Sequence, residues 1–170
     1  MKAVSDAGPL IHLAEIKGLW LLSFFEVLYL PEAVWNETVR RGRLPSKELL
    51  KFGNVQNCTV SSDDVTSFLE EHGFTDLHLG ESECLCLCEQ LKVPLFLTDD
   101  LAAREAAQKI GFTPVGSLGI VAKVFHKGEI SLAEAERYLI DLERTSSLFV
   151  TDIIVQQALV RLRSHEINSA

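Results

Sequence analysis

The stretch that most constrains this chain is "VPLFLTDD", a continuous apolar run that breaks off in Thr98, Asp99 and Asp100. A short run that is apolar on both faces reads as a strand covered on both sides, and such strands belong to parallel sheets with helices above and below. The opening residues repeat the pattern. "KAVSD" reads as a buried strand ending on Asp6, and Gly8-Pro9 then opens a helix over "PLIHLAEI", with Pro9 suited to the first turn.

The alternation continues along the chain. "GLWLLSFF" reads as a short helix, "VLYLP" as a strand, and Pro31 begins the helix "PEAVWNETVRRG". Ser46 is the expected N-cap of "KELLKFG", "NVQNCTVS" alternates weakly as a strand, and Ser62 is the expected cap of "DDVTSFLEEHG". Gly80 precedes the helix "ESECLCLCEQLK"; "LAAREAAQKIG" is a helix ended by Gly111, and "TPVG" a last short strand. From Ser117 the text is helical, with Ser131 and Glu134 forming a capping box. Strands alternating with helices predict an α/β fold with an open, mostly parallel sheet over residues 1–130. Residues 131–170 are expected to pack on the same domain as a C-terminal helical extension.

Hydrophobic residues make up 47% of the 170 and charged residues 24%, a globular profile. The net charge of −8 excludes a protein that holds nucleic acid by bulk positive charge; it needs a local basic patch or recruited cations. Three of the four cysteines fall in "ESECLCLCE" at i, i+2, i+4, a spacing that suits neither a disulfide framework nor a zinc site. They read as small buried hydrophobes in a reducing cytoplasm. No secretory signal develops before Asp6 interrupts it, and no apolar run nears the ~20 residues of a membrane span, so a soluble cytoplasmic protein is expected.

In doubly wound sheets, ligands bind beyond the carboxyl ends of the strands, at the topological switch point. Asp6 and the Asp99-Asp100 pair end two of the most strand-like segments, while Glu37 and Glu83 lie near helix starts that can face the same end. Each acid has an ordinary reading. Asp6 and one of Asp99 or Asp100 can cap helices, Glu37 can be an exposed helical residue, and Glu81 and Glu83 complement a helix dipole. Their shared placement is what points to chemistry. Converging carboxylates repel unless a divalent cation sits among them, and hard oxygen ligands suit Mg²⁺ or Mn²⁺.

The blocks "VSDAGPLIHLAEI", "LYLPEAVWNE", "LGESECLCLCEQLKVPLFLTDDLAAREAA" and "FTPVGSLGIVAKVFHKGEI" resemble, in order, the successive blocks of a PIN domain. The resemblance is closest to the prokaryotic branch related to VapC-type toxins. It implies a PIN-like three-layer α/β/α fold with a mostly parallel central sheet and extra C-terminal helices. It also implies a ribonuclease that hydrolyses RNA phosphodiester bonds with Mg²⁺ or Mn²⁺, as the toxin of a toxin–antitoxin pair. An antitoxin protein and a second copy, docked through the apolar N-terminal helices, are the implied partners.

By position, the resemblance makes Asp6, Glu37, Glu83 and Asp100 the catalytic acids. The metal rests on Asp6, Glu83 and Asp99 or Asp100, and a small shift exchanges Glu83 for Glu81. Ser5 and Thr98 are then the residues that orient carboxylates. The basic residues Arg40, Arg41, Arg43 and Lys47 read either as a guide for the RNA backbone or as cations at a helix end, and Arg104 as a phosphate contact or a structural pair. His12 and His78 read as surface or satisfied residues, and Trp20 and Trp35 as core or interface. The first rival is a degenerate PIN module that binds RNA or a protein without cutting. A phosphoacceptor receiver domain is set aside, because the first strand ends in a lone acid and "TPVGSLG" lacks the late lysine.

Overall fold

The computed structural model describes residues 1–169, with side chains placed through residue 167. Its strands are β1 (Lys2–Ser5), β2 (Val27–Pro31), β3 (Val55–Cys58), β4 (Leu95–Leu97) and β5 (Thr113–Val115), joined in one parallel sheet ordered β3-β2-β1-β4-β5. All of β4 and the last three residues of β1 are buried, as their unbroken apolar runs demand. β3 and β5 form the edges, where β3 is half-exposed and Pro114 needs no second neighbour.

The strand order reverses between β1 and β4. Ser5 stands opposite Leu97, and the Asp6 N–H donates to the Leu97 carbonyl at 2.9 Å. The two acid-bearing strand ends are therefore neighbours at the switch point, where such folds bind ligands.

Helix α1 (Ala7–Glu15) follows β1; after β2 come α2 (Glu32–Trp35) and α3 (Ser46–Leu50). Helices α4 (Ser62–His72) and α5 (Leu79–Leu91) lead into β4, α6 (Leu101–Lys109) joins β4 to β5, and α7 (Ser117–His126), α8 (Leu132–Arg144) and α9 (Asp152–Ser169) finish the described chain. Right-handed crossovers put the helices that follow β1 and β2 on one face and α4 to α6 on the other. α5 packs across β1, β2 and β4, while α7 packs on α1 and gathers α8 and α9. The Trp20 indole donates to the Tyr138 hydroxyl at 2.9 Å, tying α8 to the 3₁₀ turn Leu19–Phe24.

Four local details depart from the sequence reading. Ser61, not Ser62, caps α4 and accepts from the Asp64 N–H at 3.1 Å. Pro45 precedes α3, so Ser46 is its first helical residue. α5 begins at Leu79 and takes Gly80 inside, because the Glu81 carboxylate accepts from the His78 N–H at 2.9 Å and closes the first turn. "PEAVWNETVRRG" makes one α-turn and then widens into a π-turn, Asn36–Arg40, closed by Arg41 N–H donating to the Asn36 carbonyl at 3.1 Å.

Cys84, Cys86 and Cys88 are buried along α5 as free thiols. Burial pushes the Cys84 and Cys88 thiols well up and Cys86 up to about 11, so all three stay protonated. Among the described residues no helix is long and apolar enough to cross a membrane.

Leu97 is wholly buried at the last position of β4. Leu97→Ala should lower unfolding free energy by about 2–5 kcal/mol, as core truncations do, measured by urea denaturation.

Candidate active site

The acid after β1 occupies the N-cap position of α1, yet its carboxylate makes no cap bond across the first turn. Gly8 and Pro9 start the helix without it. Burial pushes Asp6 up to about 6, reinforced by the carboxylates of Glu81, Glu37 and Asp100, while a hydrogen bond from the Ala7 N–H pulls the other way. Glu81 is raised too, first by burial and then by Asp100 and Glu37. Four carboxylates from four segments thus share one field at the switch point.

Asp6, Glu37 and Glu81 line a cleft of about 740 Å³ with His12, Asn36, Arg41 and Arg43. Glu37 sits inside the π-turn, a local widening that recurs at functional sites. The buried side-chain oxygen of Asn36 has no hydrogen-bond partner there. Gly80 lies beside the acid: a β-carbon added there would sit in ordinary contact, 3.6 Å from Asp6 Oδ1.

Two of the acids expected from the sequence are held by partners of their own. Glu83, the favoured third acid, is absent from the cleft lining and accepts from the Ala33 N–H at 2.9 Å, capping α2. Two positions along a helix are far apart in angle, so Glu81 and Glu83 cannot both face the cleft. Asp99, one of the two acids after β4, is engaged elsewhere. It accepts from the Ser117 N–H at 2.7 Å and the Ser117 hydroxyl at 2.5 Å, and pairs with His12 Nδ1 at 2.8 Å. Asp100 caps α6 through Oδ1, which accepts from the Ala103 N–H at 2.9 Å.

The residues expected to orient carboxylates act instead on the backbone. The Ser5 hydroxyl donates to the Asp6 carbonyl at 2.9 Å, and Thr98 Oγ1 accepts from the Asp100 N–H at 3.2 Å. The basic residues divide. Arg41 and Arg43 line the cleft, Arg43 also pairing with Glu37 at 3.3 Å. Arg40 pairs with Glu32 at 3.6 Å, Lys47 is exposed on α3 outside the cleft lining, and Arg104 donates to the Thr98 carbonyl at 3.2 Å. His12 is satisfied by Asp99. His78, at the head of α5, lines the cleft.

A family model described as a PIN domain matches residues 2–164. The chain belongs to the PIN domain family. No curated protein matches it. PIN domains are in general nucleases that use divalent metal, and the cleft is a fitting place for one: hard oxygen donors, an orphaned buried amide oxygen, and acids that oppose one another's ionisation. Among the described residues, the one group of three whose ligand atoms lie within 4.8 Å of one another is Glu71, His72 and Glu89, on the surface between α4 and the far end of α5. The cleft acids of this PIN domain are set wider, a spacing that suits a cation keeping some of its own waters.

A carboxyl with a raised pKa opposes its own ionisation. Folding is then most favoured below the unfolded value near 3.8 and loses stability as pH rises through about 6. Asp6→Asn should therefore stabilise the metal-free protein at pH 8 by about 1–3 kcal/mol, measured by denaturation in EDTA. A destabilised variant would mean that the fold itself depends on the charged carboxylate.

Proposed function

We propose that this protein is an Mg²⁺- or Mn²⁺-dependent endoribonuclease. The observation that carries the reading is the meeting of Asp6, Glu37, Glu81 and Asp100 at the switch point, with Asp6 held up at about 6 by burial and by the other three. A bound cation supplies a water of lowered pKa and offsets charge on the phosphate under attack. The chain's residues do the rest. Asp6, Glu81 and Asp100 would hold the cation with Glu37 beside them, and Arg41 and Arg43 draw the substrate phosphates along the cleft wall. The Ala103 amide fixes the Asp100 side chain, and the His78 amide fixes Glu81, so both carboxylates are oriented before substrate arrives.

The resemblance of the sequence blocks to the VapC-related branch supports a toxin role, with an antitoxin protein and a second copy of the chain as partners. Buried reduced thiols suit a cytoplasmic setting. A glutamate in the third place and the net charge of −8 favour the second reading, a PIN module that binds without cutting.

Single-stranded RNA should be cleaved in Mn²⁺, and Glu81→Gln or Asp6→Asn should lower the rate at least about 100-fold, as loss of electrostatic stabilisation does. Glu83→Gln, which keeps an acceptor for the Ala33 amide, should stay within a few-fold of wild type. Calorimetric titration of Mn²⁺ gives the second readout. RNA bound but never cut, with no Mn²⁺ uptake, would sink the nuclease reading and leave the binding module.

A further inference from the structure

The segment between α8 and α9 is short, irregular and strongly braced. Glu15, at the end of α1, accepts from the Ser147 N–H at 2.6 Å and from the Ser147 hydroxyl at 2.9 and 3.0 Å. The Ser146 hydroxyl donates to the Leu142 carbonyl at 2.6 Å and accepts from the Leu148 N–H at 3.1 Å. Leu148 and Val150 pack against the core. Between them Phe149 is 96% exposed, the most exposed of the large hydrophobic side chains. Exposure alternates strictly from Ser146 to Thr151, so Phe149 shares the outward side with Ser147.

Ser147, on that outward side, stands at the rim of the cleft. Ser147 lines the acid cleft and also a second hollow of about 560 Å³, which runs past Glu15, Pro45 and Glu48. The two hollows share Ile11, Arg43 and Ser147 and so form one groove. Two residues of chain span at most ~7 Å, which keeps the Phe149 backbone at the groove edge.

We infer that Phe149 is a base-stacking platform for single-stranded RNA, taking a nucleobase at the groove rim while Arg43 holds backbone phosphate and the acids face the scissile bond. The inference rests on the nuclease reading and adds to it a residue and a substrate form: an unpaired strand, since a paired base hides its face. Leaving a phenyl ring in water is unfavourable, and bracing the backbone on both sides of it removes most of the ordering entropy that a stacking contact must overcome. A ring face is also what lets a net-negative protein grip RNA, because stacking depends on no charge. Ile153 and Ile154 are exposed at the start of α9, so a protein-facing patch is the alternative to be separated by experiment.

The test measures binding of a fluorescein-labelled 12-mer oligouridylate by anisotropy in EDTA, where no cleavage occurs, and cleavage of the same oligomer in Mn²⁺. Phe149→Ala should weaken binding roughly 5- to 150-fold, the range for losing one base–aromatic stack. Phe149→Trp should restore binding and show indole quenching on titration, whereas Phe149→Leu, apolar but without a ring, should not. A duplex of the same length should bind with no dependence on Phe149. Equal affinity for wild type and Phe149→Ala, or full rescue by Leu, overturns the inference even where cleavage stands. A change in mass by light scattering in Phe149→Ala with unchanged RNA affinity also overturns it, assigning the ring to a protein interface. If wild type binds in EDTA and loses affinity in Phe149→Ala yet never cuts, the stacking role stands and the nuclease reading falls. If wild type neither binds nor cuts, both fall.

Discussion

The arrangement at the sheet edge depends on what Asp99 does. Its carboxylate gathers the Ser117 amide, the Ser117 hydroxyl and the His12 ring, so one side chain clamps the end of β4 to the head of α7 and the flank of α1. The approach is so close that a β-carbon on Gly116 would lie 2.7 Å from Asp99 Oδ1, which explains a glycine just ahead of α7. With Asp99 occupied, its neighbour Asp100, extended at the N-cap of α6, turns Oδ1 to the Ala103 amide. Two adjacent aspartates thereby divide the labour: one holds the fold together, the other joins the acids of the cleft.

Those acids carry a cost that the fold concentrates in one place. Asp6 is close to three carboxylates, and the arginines on the same cleft cannot neutralise them all, Arg43 already facing Glu37 at 3.3 Å. On the nuclease reading an RNA strand brings further negative charge. A cation in the cleft then strengthens the hold on that strand, which couples metal binding to RNA binding through simple charge balance.

Much of this was legible in the sequence, because buried parallel strands and the acids that end them leave strong marks. "VPLFLTDD" and "KAVSD" each read as a covered strand, while their adjacency is set by the sheet order. The choice between Glu81 and Glu83 was harder. Gly80 looked like a boundary, but the His78 amide captures the Glu81 carboxylate and starts α5 earlier, which rotates Glu81 into the cleft. The two-residue shift of the start rests on a side-chain-to-backbone bond that composition does not reveal. The π-turn at Glu37 was hidden for a similar reason, since no residue type marks it. "SSLFVT" is too short to mark Phe149 by pattern. Its meaning comes from a carboxylate on Glu15 far away in sequence.

That distance orders events during synthesis. Glu15 and Ser147 are 132 residues apart, and at 5–20 residues per second a ribosome needs roughly 7 to 26 s to travel between them. The acids, all in place by residue 100, emerge well before the strap that walls one side of their groove. A nascent chain therefore displays the charge centre first and the groove wall later, so the centre lacks its finished binding surface until Ser147 can reach Glu15.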